Sequence, residues 1–136
     1  MFTSLDISTT GMLAQRTRMD VTAGNIAMAD VTEDESGRPN PYHRRFTVFQ
    51  SGSSLGKDVG VHVAGVEEDQ SFRLEYEPGH KDAIKEGPSA GYVKYPNIDL
   101  AFEYLNGMEA ARAYEANIAA FQLSKSMITN AIRLLA

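Results

Sequence analysis

The chain has 136 residues, of which 43% are hydrophobic, and a net charge of −5. These values exclude wholesale disorder and predict one domain, or a helical part with a small second part. The acidic balance argues against a nucleic-acid-binding protein, which normally presents a basic surface, and the absence of cysteine excludes disulfides and thiolate chemistry.

The N-terminal stretch has no basic segment followed by an apolar one, so we expect no cleaved secretory signal. No apolar run approaches the roughly 20 residues that span a bilayer. We therefore expect no direct membrane insertion. The chain is expected to be cytosolic, or exported by a route that uses no cleaved signal peptide.

The first part, residues 1–30, has the pattern of a helix from about residue 3 to 29. Two apolar rows repeat every seven residues, which is typical of helices that pack along their length. The rows lie about 200° apart at 100° per residue. A helix with apolar rows on opposite sides usually contacts two partners. The rows consist of Leu5, Met12, Met19 and Ile26, and of Ile7, Ala14, Val21 and Met28.

The middle part, residues 31–96, contains all five prolines. Residues 45–50, 60–68 and 71–77 alternate or carry β-branched and aromatic residues, so they are predicted to form short strands. Residues 78–91 carry turn signals and are predicted to form a loop. The three strands could form a small sheet, whose own core would be small.

The last part, residues 97–136, is free of proline, and Gly107 is its only glycine. Pro96 just upstream and Asp99 as N-cap predict a helix from Leu100 to Leu135, about 54 Å long. Its apolar residues again form several rows. These rows are Tyr104, Ala111, Ile118 and Ile132, interrupted by Lys125; Tyr114, Phe121, Ile128 and Leu135; and Ala113, Ala120, Met127 and Leu134.

Together these parts predict an α+β fold. Long N- and C-terminal helices pack together in a coiled-coil-like manner, and a small β-rich segment lies between them. The helices carry more apolar surface than one contact covers. Two interpretations stay open from the residues alone: self-association with similar helical chains, and a monomeric helical hairpin with a generous core.

Enzyme motifs are weak in this chain. "GSSLG" at 52–56 matches G-x-S-x-G with Ser54 as nucleophile, but a nucleophile elbow needs a following helix, and the next residues are strand-like. A turn is the better prediction. His43, His62 and His80 lie far apart without metal-ligand spacing. We predict no catalytic site, no bound metal and no cofactor.

The two helices also carry a family resemblance. "GMLAQRTRMDVTAGNIA" (11–27), "FRLEYEPGH" (72–80) and the stretch from "YPNIDLAFEYLNG" to the chain end (95–136) resemble the flagellar rod, hook and filament-axial family of bacteria. Met28 departs from this pattern, which usually has Asn there, and the 81–91 loop is longer than the pattern predicts. The motif residues are Gly11, Gln15, Asn25, Pro96, Asn97, Asp99, Arg112, Glu115 and Asn117.

The resemblance implies a structural subunit of the proximal rod of the flagellar basal body, without enzymatic activity. Such subunits stack through their terminal helices into a helical axial tube that crosses the periplasm and transmits torque to the hook. The implied partners are copies of the chain, other rod proteins and the flagellar type III export apparatus, with a basal-body adaptor protein as a further candidate. The expected assembly interface comprises Leu5, Met12, Met19, Ile26, Tyr104, Ala111, Tyr114, Ile118, Phe121, Ile128, Ile132 and Leu135.

A second hypothesis is a cytosolic helical adaptor or export chaperone for flagellar axial proteins. Such a protein would bind rod subunits without being built into the rod. Recovery of the chain in purified basal bodies distinguishes the two hypotheses.

Overall fold

The computed structural model of the chain describes residues 2–52 and 59–135. A long helix forms each end of the chain, and the strands lie between the two helices. The predicted α+β fold is therefore confirmed. In chain order the elements are α1 (Phe2–Ala27), β1 (Arg44–Ser51), β2 (Val61–Asp69), β3 (Phe72–Tyr76), β4 (Tyr92–Pro96) and α2 (Leu100–Leu135).

The strands form two antiparallel hairpins instead of the one three-stranded sheet that the sequence suggested. β1 pairs with β2, with a bulge where Val48 lies opposite Gly65 and Phe49 opposite Val63. β3 pairs with β4. The sequence analysis missed β4, which has only five residues and ends in Pro96. Proline is tolerated at such a position because an edge strand can lack one N–H donor.

The loop between β3 and β4 is held by main-chain hydrogen bonds. The Ile84 N–H donates to Tyr92 O, and the Gly91 N–H donates to Ile84 O, both at 2.9 Å. Gly91 has a φ of 84°, and a Cβ there would lie 2.8 Å from the Tyr76 ring. Only glycine fits this left-handed position without strain.

Helix α1 lies between α2 and the β1–β2 hairpin and contacts both. Two residues of its second apolar row, Ile7 and Met28, are nevertheless 46% and 43% exposed. It crosses beneath the hairpin diagonally. Near one end its Asn25 side chain binds β1 at Arg45, and near the other its Thr10 hydroxyl accepts a hydrogen bond from the Val61 N–H of β2 at 3.3 Å. Ala14, between these points, is only 3% exposed.

Candidate assembly interface

The two terminal helices pack antiparallel along a contact that we call the seam. The Asn25 amide of α1 donates to Glu103 Oε2 of α2 at 3.0 Å. About two turns further along, Arg18 Nη2 donates to Glu109 Oε2 at 2.8 Å and to Asn106 Oδ1 at 3.3 Å. The cross-links fix both the direction and the register of the two helices.

At Gly11 the side chain of Asn117 lies directly against the backbone of α1. A Cβ on Gly11 would lie 2.8 Å from Asn117 Oδ1, closer than such atoms approach in proteins. The Asn117 amide donates to Ala113 O of its own helix at 2.8 Å, so its side chain is held in this position. The spacing from Asn25 to Gly11 equals that from Glu103 to Asn117, so the register is constant along the seam. The motif glycine therefore permits close approach of the helices.

A buried polar cluster closes one end of the seam. Glu103 and Asn25 are each only 1% exposed. Arg44 of β1 contacts Glu103 Oε1 through Nε at 2.9 Å and through Nη2 at 2.7 Å. A carboxylate taken out of water needs such a charged partner. The cluster therefore ties α2, α1 and β1 together at one point.

Asn25 also acts on the backbone of β1. Its Nδ2 donates to Arg45 O at 2.7 Å, and its Oδ1 accepts from the Arg45 N–H at 2.9 Å. The side-chain amide thus takes the place of a peptide group from a neighbouring strand. Burial raises the pKa of the Tyr42 phenol, whose hydroxyl donates to Asn25 Oδ1 at 3.4 Å.

The motif residues at the start of α2 fix the helix entry. Asp99 is the N-cap, as predicted: its Oδ1 accepts from the N–H groups of Ala101 at 2.9 Å and Phe102 at 3.3 Å. The Asn97 amide donates to Ser71 Oγ at 2.8 Å. Pro96 is buried at the end of β4. These contacts orient α2 relative to the β3–β4 hairpin.

The three remaining motif residues have no such inward role. Arg112 and Glu115 are exposed on α2, and within residues 2–52 and 59–135 neither has a hydrogen bond or ion pair. Gln15 of α1 has a buried Oε1 without a hydrogen-bond partner among the described residues. Arg112 and Glu115 are thus accessible to a neighbouring molecule. The Gln15 Oε1 is enclosed by the chain itself, although buried polar atoms are normally paired.

The end of α2 extends beyond α1. The register set by Gly11 and Asn117 places Phe2 level with Ser126. Nine further residues of α2 extend past that level, roughly 13 Å of helix. Ile132 is 61% exposed and Leu134 is 88% exposed on this end. The chain's own first helix therefore leaves the last turns of α2 without a partner.

Nine residues of the expected assembly interface are half-buried, and two are exposed. Tyr104 and Ile132 belong to the exposed group, and the side chain of Leu135 lies outside the described part. The half-buried residues are Leu5, Met12, Met19, Ile26, Ala111, Tyr114, Ile118, Phe121 and Ile128.

An apolar row that the sequence analysis missed lies on the opposite side of α2. Leu105, Met108 and Leu123 are 59%, 53% and 61% exposed. At 100° per residue they point away from the side of α2 that carries Glu103 and faces α1. They are 3 and 15 residues apart, so a search for strict heptads passes over them. We call these three residues the outer row.

The accessible surface is large for the chain's mass. The chain exposes 9201 Å², whereas a compact monomer of 14.9 kDa exposes about 7,000 Å². The excess is about 2,000 Å², whereas a stable interface of standard size takes about 800 Å² from each partner. The fold therefore presents enough uncovered surface for association.

Clusters suited to a metal ion and helices suited to a bilayer are both absent from the described residues. Within 2–52 and 59–135, no group of three or more His, Asp or Glu side chains is arranged to hold a metal ion. In the same ranges no helix combines the length and apolar character needed to span a bilayer. Ser54 of the G-x-S-x-G match lies outside the described residues.

Comparisons with known proteins agree on one family. The family model described as "Flagellar basal body rod FlgEFG protein C-terminal" matches residues 89–134. The chain is 36% identical to the flagellar basal-body rod protein FlgC of Borreliella burgdorferi, over 99% of this chain and 97% of that protein. Identity to FlgC of Salmonella typhimurium is 39%, over 95% of this chain and 93% of that protein. Identity to FlgC of Bacillus subtilis is 33%, over 98% and 97%. The chain therefore belongs to the family of the flagellar basal-body rod protein FlgC.

Proposed function

We propose that this chain is a structural subunit of the proximal rod of the bacterial flagellar basal body. Its relatives are named as basal-body rod proteins and match nearly the whole chain. The observation that carries the proposal is the uncovered apolar surface of α2, namely the outer row and the extending end with Leu134. A helix exposed in this way gains free energy when a neighbouring subunit covers it.

In the assembled rod, the paired terminal helices form the inner layer of a helical tube, and the two hairpins lie further out. Copies of this chain and other rod proteins cover the outer row and the end of α2. Burying one Leu, Ile or Met side chain contributes about 1.5–3 kcal/mol. A few such residues in each contact are therefore enough to drive assembly. The assembled tube transmits torque to the hook.

The proposed location is the periplasmic rod. The chain reaches it through the flagellar type III export apparatus, without a cleaved signal peptide. A basal-body adaptor protein is a further proposed partner. The proposed role is structural, and it assigns no catalytic step to any residue.

The test is complementation of a gene deletion, scored by swimming and by electron microscopy of purified basal bodies. We expect the deletion to lack rods and a chain truncated after Gln122 to leave it unrescued. Leu134→Asp should also fail. Asn130→Asp is the matched control: it adds the same charge at an exposed polar position one turn away and should rescue.

Intact rods in the deletion strain, or absence of the chain from purified basal bodies, would contradict the rod function and favour the adaptor hypothesis. Rescue by Leu134→Asp would contradict the proposed contact at the end of α2. Antibody detection of the chain in basal bodies from the complemented strain supplies the positive control.

A further inference from the structure

The outer edge of β1 has main-chain groups that no other strand of the described residues uses. In an antiparallel strand, the N–H and C=O of one residue point to the same side, and the side alternates along the strand. Arg45 gives both groups to the Asn25 side chain, so they point away from β2. The groups of Thr47 and Phe49 therefore point the same way. The even-numbered residues point toward β2. The N–H of Gly52 agrees with this alternation, because it donates to Gly60 O at 2.9 Å.

These outward groups are unpaired within the described chain. In residues 2–52 and 59–135, no hydrogen bond to the outward side of Thr47 or Phe49 is found beyond the β1–β2 ladder. Asn25 pairs with only the first outward position, Arg45. The paired part of the edge therefore ends at Arg45. An added strand could pair with the edge from Thr47 onward.

The unpaired edge opens onto a cleft of about 430 Å³ between β1 and the two helices. Residues 44–47 line the cleft consecutively, so it follows the edge of the strand and not one face of the sheet. Val21 of α1 and Phe102 of α2 form the opposite wall. The volume is that of a small-ligand site and accepts a short extended segment.

The lining of the cleft indicates what such a segment carries. Phe46 and Phe49 on β1 are 37% and 38% exposed, and Phe102 is 56% exposed. Phe46 and Phe49 lie on opposite faces of β1, so the ring on either face favours apolar side chains at every second position of the segment.

The charges of the cleft favour an acidic end. Its lining has three guanidinium groups and one carboxylate, Glu103, which is paired with Arg44. Arg45 is paired with Glu68 and Arg18 with Glu109, so an added carboxylate depends on the donors that these pairs leave unused. Arg18 uses only Nη2 for its contacts with Glu109 and Asn106. Its Nε and Nη1 have no partner in the described part of the chain, so they can bind a carboxylate.

We propose that the outer edge of β1 is a strand-acceptor site for an extended peptide segment of a partner protein. The segment has apolar side chains at alternate positions and a carboxylate near Arg18. It pairs with the main-chain groups of Thr47 and Phe49, as in other cases of strand addition to a sheet edge. The site is separate from the outer row of α2, so a negative result here leaves the rod function standing.

The test uses the full-length, isotope-labelled chain and an acetylated, amidated probe peptide, Val-Thr-Val-Thr-Val-Glu-Glu. Hydrogen exchange followed by NMR reads each amide. Without peptide, the outward amides of Thr47 and Phe49 should exchange faster than the inward amides of Val48 and Gln50. Saturating peptide should slow exchange at Thr47 and Phe49 specifically.

Two variants test the pairing through the backbone. Thr47→Pro removes one outward N–H and leaves the β1–β2 ladder intact, because edge positions tolerate proline. Thr47→Val keeps that N–H in a β-branched residue. Binding should be lost in Thr47→Pro and retained in Thr47→Val. A peptide ending in Lys-Lys should bind about tenfold more weakly, or worse, because it lacks the carboxylates.

Several outcomes would overturn the proposal. One is slow exchange at Thr47 and Phe49 in the dilute chain without peptide. Another is equal binding by the two Thr47 variants, or by the two peptides. Protection that rises with chain concentration alone would assign the edge to a second copy of this chain, against the proposed partner segment. The exchange measurement on the unaltered chain stands even if Thr47→Pro fails to fold.

Discussion

Replacing Gly11 with alanine tests the tight contact between α1 and the Asn117 side chain of α2. In an isolated helix this change is favourable by about 1 kcal/mol, because glycine has more backbone freedom to lose than alanine. Here the added Cβ would lie 2.8 Å from Asn117 Oδ1 and 3.0 Å from its Cγ. Overpacking of this kind costs about 1–3 kcal/mol. We therefore expect Gly11→Ala to lower the free energy of unfolding by about 1 kcal/mol in total.

Gly24→Ala is the matched control on the same helix. A Cβ at Gly24 meets no atom within 4 Å, so only the helix-propensity gain applies. The control should be more stable than the unaltered chain by about 1 kcal/mol. The two alanine variants should thus move the urea midpoint in opposite directions, as followed by circular dichroism.

The double variant Gly11→Ala/Asn117→Ala, together with the two single variants, forms a double-mutant cycle. Removing the Asn117 amide relieves the contact, so alanine at position 11 should become stabilising in that background. The coupling energy should be about 1–3 kcal/mol. If Gly11→Ala raised the midpoint as much as Gly24→Ala does, the close approach of α1 and α2 would be refuted.

Three further predictions concern other parts of the chain. Glu103→Ala should destabilise the fold by about 3 kcal/mol because it leaves Arg44 without its buried partner. Glu109→Ala removes an exposed ion pair and should lower the free energy of unfolding by less than about 1 kcal/mol. Urea titration measures both changes. Amides in the last turns of α2 should exchange quickly in the dilute monomer and slowly after assembly, and uniform slow exchange in the monomer would contradict this. The Arg38 N–H lowers the pKa of Asp34, so the stabilisation of that turn is complete above the ordinary carboxyl pKa and is lost as pH falls through the lowered value; an NMR titration that finds an ordinary pKa would rule this out.

The sequence predicted the long elements and missed the short ones for physical reasons. Both helices carry apolar repeats over several turns, and Asp99 has the side chain that an N-cap requires. β4 has five residues and a terminal proline, which is too little for a periodic signal. A repeat over many residues still predicts a helix when one or two positions depart from it. A five-residue strand such as β4 has no such repeat and is stabilised by its pairing with β3.

The buried cluster shows the other limit of sequence reasoning. Glu103 lies in the first turn of α2, where a negative charge is expected from the helix dipole alone. Its partner Arg44 lies 59 residues away, and no local pattern links the two. The family resemblance singled out Asn25, but that residue acts on main-chain groups of Arg45, and a backbone partner leaves no side-chain signature.

The seam also determines the order in which the chain can fold. Its cross-links join residues 78 to 91 positions apart. Closing a loop of that length costs about 4 kcal/mol in chain entropy, and an unpartnered helix such as α1 is marginal in water. During synthesis, α1 has to wait for α2 before it gains its main partner, while each hairpin can close from neighbouring residues. We therefore expect the helix pair to form last, after both hairpins.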